Sequence, residues 1–232
     1  MLRERLIGIL RGPRSSPEVP LLAPRLDGTQ AGARVHQPDL VQLRQSRGLE
    51  QFFVSFRDQA GLSILDLGAA HQENINFITN LGHRFYSEDF LRLMQEAFDG
   101  SLPDQSNTGR IEYFLRQGLN YPDGHFDGVL AWDALEYMEP PLMLATVDQL
   151  LRVLKPKGYL LAFFQTAERA QMAPCYDFRI QDAHTLQVGQ CGHRPVSAQL
   201  FNNRSLEKLF QNFESVKFFL TRERLREVIV RK

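Results

Sequence analysis

Two kinds of apolar pattern alternate along this chain: short unbroken runs of Val, Ile, Leu and Phe, and stretches in which apolar residues recur every third or fourth position. Leu49, Phe52, Phe53 and Phe56 stand at i, i+3, i+4 and i+7, the spacing of a helix that buries one face. Residues 63–67 then run apolar to Gly68, and Ile75, Phe77, Ile78 and Leu81 lead to a stop at Gly82, so strand, tight turn and helix follow in order. Residues 84–87 predict a second strand, which delivers Glu88 and Asp89 to its end. A helical start through Leu93, Met94 and Phe98 gives way to a polar loop over 103–109, and residues 111–115 predict a third strand. After the turn Tyr121-Pro122-Asp123-Gly124, residues 126–131 predict a buried strand that carries Trp132 and Asp133 to the sheet edge. Leu144, Val147, Leu151 and Leu154 then mark a helix, and residues 159–164 form a continuous apolar run, as a strand covered on both faces should. Leu206, Leu209, Phe210 and Phe213 predict a last helix, with Ser205 as its N-cap. Residues 216–220 and 226–230 predict two strands so close in sequence that they pair antiparallel.

This alternation predicts an α/β fold with a mostly parallel sheet. The 232 residues, 43% hydrophobic and 23% charged, suffice for one well-buried domain and hardly for two. The expected domain spans 39–232. Residues 1–38 are expected to be a flexible segment, because Pro13, Pro17, Pro20, Pro24 and Pro38 interrupt a stretch that offers little apolar surface to bury. Within it, residues 1–10 mix Leu and Ile with Arg3 and Arg5. A frayed terminus and a weak interfacial helix both fit that mixture, whereas a signal peptide does not.

Charge and cysteine usage narrow the partners. Lys plus Arg equal Asp plus Glu at 27 each, so no global positive field draws the chain to nucleic acid or to anionic lipid. Cys175 and Cys191 are the whole cysteine complement, too few for a disulfide scaffold, which points to buried thiols in a reducing cytoplasm. No apolar run approaches the roughly 20 residues that span a bilayer, so stable membrane insertion is not expected. Residues 165–201 break the strand and helix rhythm and are read as an insert above the site, a candidate substrate lid. They hold Cys175, His184, Cys191 and His193. The close C-x2-4-C pairs of structural zinc sites are missing there, so no metal is assigned.

Several blocks carry a resemblance. Ile64-Leu65-Asp66-Leu67-Gly68 ends a strand in glycine, Asp89 closes the second strand, Phe126-Asp127-Gly128-Val129-Leu130 leads to Trp132-Asp133-Ala134-Leu135-Glu136, and Arg152-Val153-Leu154-Lys155-Pro156-Lys157-Gly158 precedes the next strand. Together they resemble the class I S-adenosylmethionine-dependent methyltransferases, type 11-like, over roughly residues 39–232. The resemblance implies a Rossmann-like fold: a mostly parallel seven-stranded sheet, a C-terminal antiparallel hairpin and helices on both faces. It also implies S-adenosyl-L-methionine as cofactor. Asp66, Gly68, Ala70, Gln72, Asp89 and Asp133 would line the cofactor site, with Gly68 opening the main chain to the ligand and Asp89 accepting the ribose hydroxyls. Asp133, Glu136 and Tyr137 would serve the acceptor, by orienting or deprotonating it.

Plainer roles stand beside these. Asp133 could cap the following helix, Glu136 could be solvated, and Asp66 could hold the amides of the adjacent loop. The chain also departs from the family pattern. Gly68-Ala69-Ala70-His71-Gln72 keeps one glycine of the G-x-G-x-G loop, and Leu115 and Gln117 stand where an adenine-binding acid is expected. These departures motivate a binding or scaffold protein with a decayed cofactor loop as the alternative. A nicotinamide oxidoreductase is disfavoured by the missing G-x-G-x-x-G. The expected activity is methyl transfer to a small-molecule acceptor, with no residue that names the acceptor or the oligomeric state.

Overall fold

The computed structural model describes residues 41–98, 105–165, 172–195, 201–221 and 225–232. The segment 1–38 therefore lies outside the described residues, apart from any reading of its sequence. In chain order the elements are β1 (Gln42–Gln45), α1 (Arg47–Val54), β2 (Ser63–Asp66), α2 (Gln72–Asn80), β3 (Arg84–Ser87), α3 (Phe90–Phe98), α4 (Thr108–Gly118) and β4 (Phe126–Trp132). A single 3-10 turn (Ala134–Tyr137) follows, then α5 (Pro140–Val153), β5 (Leu154–Gln165), β6 (Met172–Asp182), β7 (Thr185–Pro195), α6 (Asn203–Leu209), β8 (Ser215–Leu220) and β9 (Leu225–Arg231).

The main sheet has the order β3-β2-β4-β5-β9-β8. Its first four strands run parallel, and β9 and β8 close it antiparallel. Strand alternation sorts the core into two layers. Leu65, Val129, Leu160 and Val228 face the layer that holds Phe90, Phe114, Leu142 and Leu206 from α3 to α6. Ile64, Leu130, Leu161 and Ile229 face Leu49, Phe52 and Phe53 of α1. On that second face Gly128 has no substitute, since a Cβ there would lie 2.6 Å from Phe52 Cζ and 2.9 Å from Ile64 Cδ1. Ser46 caps α1 through its hydroxyl, which accepts from Leu49 N at 3.0 Å. The buried Glu227 carboxyl group accepts from Gly48 N at 2.5 Å, at the amino end of the helix.

Three expectations change. The third strand expected over 111–115 is the helix α4, capped by Asn107, with Ile111, Phe114 and Gly118 buried at helical spacing. The short apolar run concealed a period of 3.6, and tertiary packing chose it: Gly118 lies against Phe90, where a Cβ would come within 2.8 Å of the ring. The main sheet consequently has six strands among the described residues, with β3 at its edge. Second, the cap of α6 is Asn202, whose side chain accepts from Ser205 N at 2.9 Å, so Ser205 lies inside the helix. Third, Cys175 and Cys191 are not thiols but a disulfide, with Cα atoms 5.4 Å apart. Hairpin pairing sets Cys175 opposite Gly192, one residue from its partner, across a register shift. That pairing removes the cysteine argument for a reducing compartment. Among the described residues no helix is long and apolar enough to cross a membrane.

The insert is itself structured. β6 and β7 form a long hairpin, and β1 adds to β7 to make a separate three-stranded sheet. One face is apolar, with Phe178, Ile180, Leu186 and Val188 joining the α1 core layer. This sheet reaches the site because its core partner is Trp132, at the end of β4.

Candidate active site

β2, β3 and β4 end at one crevice, the place where open α/β sheets take their ligands. β2 delivers Asp66, fully buried, whose carboxylate accepts from Gly68 N at 2.8 Å, Asn74 Nδ2 at 2.9 Å and Trp132 Nε1 at 2.5 Å. Burial pushes its pKa up to about 6, although these three donors and the nearby His71 pull it down. Asp66 therefore organises the loop from behind. Gly68 leaves room for Trp132 as much as for any ligand, because a Cβ on it would lie 3.1 Å from the indole Cδ1. Trp132 sits in the left-handed region with φ 48°, beside a register shift between β4 and β5. Such strain in a non-glycine residue collects at functional sites.

At the end of β3 the two acids separate. Tyr121 Oη donates to Glu88 at 2.7 Å, which occupies that carboxylate. Asp89 lines the cavity and accepts from Arg92 N at 3.0 Å at the start of α3. Beyond β4, Asp133 also lines the cavity and is fully buried, and burial pushes its pKa up to about 6. Tyr137 Oη lies 2.8 Å from Asp133 Oδ2 and 2.9 Å from Pro174 O. One hydroxyl proton cannot fully serve both acceptors, whereas a protonated Asp133 donates to Tyr137 and frees its proton for Pro174. Burial and the Asp133 charge drive the Tyr137 pKa strongly upward, so this phenol acts as a neutral hydrogen-bonding group.

The plainer roles fare differently. Asp133 makes no side-chain cap bond to the 3-10 turn. Glu136 is buried instead of solvated, and both its oxygens lie 3.3 Å from Gln165 N. Asp66 does hold the loop amide at Gly68. Glu136 and Tyr137 stand behind the cavity wall, and Asp133 is the acid that reaches it. Ala70 and Gln72 are exposed and do not line the cavity; Gln72 Nε2 donates to Asn76 Oδ1 at 2.7 Å, so its bulk turns to solvent.

What sequence reasoning missed is the roof. Phe178 of β6 stacks on Trp132 with centroids 5.3 Å apart and planes at 8°. His71 Nε2 meets the Asp177 carboxylate, and Tyr176 and Arg194 of the hairpin also face the cavity. The one signal available was the chain's single tryptophan, Trp132, at the end of a strand.

The sequence model of a family described as "Methyltransferase domain" matches residues 41–214. The chain belongs to that family. It is a class I S-adenosylmethionine-dependent methyltransferase, and its family relationship carries the cofactor, S-adenosylmethionine, with it. No curated protein matches the chain. Its fold is similar to a SAM-dependent methyltransferase from Archaeoglobus fulgidus, at 14% identity and TM-score 0.48, covering 79% of this chain and 91% of that one. A putative type 11 methyltransferase from Sulfolobus solfataricus shares 17% identity at TM-score 0.45, covering 82% and 94%. The Burkholderia thailandensis 1,6-didemethyltoxoflavin-N1-methyltransferase, a structure with S-adenosylhomocysteine bound, shares 13% identity at TM-score 0.44, covering 80% and 76%.

The methyltransferase site meets its cofactor's chemistry only in part. Gly68, Asp89 and Asp133 converge on one cavity from three strand ends. The cavity between them measures about 170 Å³, however, below the roughly 300 Å³ at which ligand pockets begin. Among the described residues, and with β6 where it stands, this cavity is smaller than an adenosyl sulfonium needs.

Proposed function

We propose that this methyltransferase acts on a small-molecule acceptor in the crevice at the ends of β2, β3 and β4. Asp89 is the residue for the ribose hydroxyls, and the main chain at Gly68 is the approach for the rest of the cofactor. Asp133 orients the acceptor or takes its proton, with Tyr137 holding that carboxyl in place. The observation that carries this reading is Asp133 itself. A fully buried carboxyl with its pKa pushed up to about 6, lining a cavity at a strand end, is suited to accept a proton near neutral pH.

A small acceptor suits a crevice roofed by a hairpin better than a polymer does, and the balanced charge of 27 against 27 offers no field for nucleic acid. Titration calorimetry with S-adenosylhomocysteine tests the site. Micromolar binding that Asp89→Ala abolishes supports the assignment. Wild-type affinity in Asp89→Ala would move the ribose subsite elsewhere, and absence of heat from every form of the protein would remove the cofactor role.

A further inference from the structure

The covered crevice and the family's cofactor disagree on space, and the contacts of the cover explain how both can hold. β6 is fastened to the cofactor loop at the point where a ligand would lie. Asn74, at the start of α2, is 1% exposed and has all its polar atoms engaged. Its Nδ2 donates to Asp66 Oδ2 at 2.9 Å and to Phe178 O at 3.1 Å, while its Oδ1 accepts from Ile180 N at 2.7 Å. One amide thus ties the acid that ends β2 to two main-chain groups of β6, closing a gap of more than a hundred residues in sequence. Around it stand the Phe178 stack on Trp132, the His71 contact with Asp177 and the Tyr137 hydrogen bond to Pro174. On the opposite edge of the hairpin and at the same level, β1 pairs with Thr185 to Val188 of β7, the stretch that pairs in turn with Phe178 and Ile180. The structure therefore has an anchored side and a latched side.

We propose that the β6–β7 hairpin is an autoinhibitory roof, latched over the cofactor crevice by Asn74, which must release β6 before the adenosyl ligand can enter. This rests on the methyltransferase reading above. The roof is part of the closed protein and competes with the cofactor for the same volume. Apparent affinity is then the intrinsic affinity reduced by the fraction of molecules whose roof is open. Loosening the latch raises that fraction. Asn74 is a positioning residue in this scheme, acting on β6 and on Asp66 without touching substrate.

The test uses the full chain and S-adenosylhomocysteine. Asn74→Ala removes the latch, and Phe178→Ala removes the stack from the hairpin side while leaving Asp66 and its partners in place. Both should bind S-adenosylhomocysteine about tenfold or more tightly, with a faster association rate. In the wild type, saturating ligand should speed hydrogen exchange at the Ile180 amide, because that amide loses Asn74 Oδ1. A misfolded Asn74→Ala leaves the question to Phe178→Ala and to the wild-type exchange experiment. Wild-type binding with unchanged affinity in Phe178→Ala and an Ile180 amide still protected when ligand is bound would overturn the latch and keep the methyltransferase. Failure of all forms to bind would overturn the cofactor reading beneath it.

Discussion

Asp133→Asn should make this protein more stable at neutral pH. In the native state the Asp133 carboxyl is fully buried and its pKa stands near 6, against 3.8 for the unperturbed group. Between those values the unfolded chain ionises Asp133 while the folded chain keeps its proton, so the native state binds more protons and stability falls as pH rises. Well below pH 3.8, near pH 3, both states are protonated and the cost disappears. Above pH 6 both are ionised and the full cost remains, about 2 pH units at 1.36 kcal/mol each, or about 3 kcal/mol. Asparagine has no proton to lose. Its amide can donate to Tyr137 Oη as the protonated acid does, and its oxygen can still accept the Tyr176 main-chain bond. Urea denaturation of both proteins from pH 3 to pH 8 should show about equal stability at pH 3 and an advantage for Asp133→Asn of about 3 kcal/mol at pH 7. Asp66 contributes its own slope to both curves and cancels in the difference. A difference that stays flat with pH, or an asparagine variant less stable at pH 7, would refute the buried-carboxyl argument. The same substitution should cost methyl transfer, since Asn cannot accept the acceptor's proton.

Two further outcomes follow from packing and from the hairpin. Gly128→Ala should destabilise by about 1–3 kcal/mol in chemical denaturation, because its Cβ would lie 2.6 Å from the Phe52 ring and 3.0 Å from Phe56; a neutral result would show that α1 can lift from the sheet freely. Reducing the Cys175–Cys191 disulfide, 16 residues apart in sequence, should lower stability by at most about 3 kcal/mol, the chain-entropy limit for such a loop. Thermal melts with and without dithiothreitol read this directly, and a Cys191→Ser protein should melt with the reduced wild type and ignore the reductant.

The order of strands and helices was legible because it is a local matter. The run 63–67 and the apolar stretch 159–164 read as buried strands and 84–87 as a strand, found half-buried at the sheet edge, and the C-terminal pair is joined too tightly to run parallel. Gly68, Asp89 and Asp133 were likewise legible as residues at the crevice, because they follow the ends of parallel strands, whereas Asp66 lies buried behind it. Residues 111–115 misled because five apolar-rich residues fit a strand and one turn of helix equally well. In the fold they belong to α4, capped by Asn107 and packed through Ile111, Phe114 and Gly118. Glu136 and Gln72 misled in opposite directions, one expected to meet solvent or acceptor and found buried, the other expected in the pocket and found outside it.

The sequence by itself determined the fold class, the family and the acids that meet at the strand ends, since each depends on periodicity and on neighbours close along the chain. The tertiary structure decided what those acids face. Asn74 is 104 residues from Phe178 and 106 from Ile180, and Cys175 finds Cys191 only when the hairpin folds back across its register shift. Such contacts arise between segments whose local patterns carry no information about each other. The roof, the small cavity beneath it and the raised pKa of Asp133 are consequences of that distant packing.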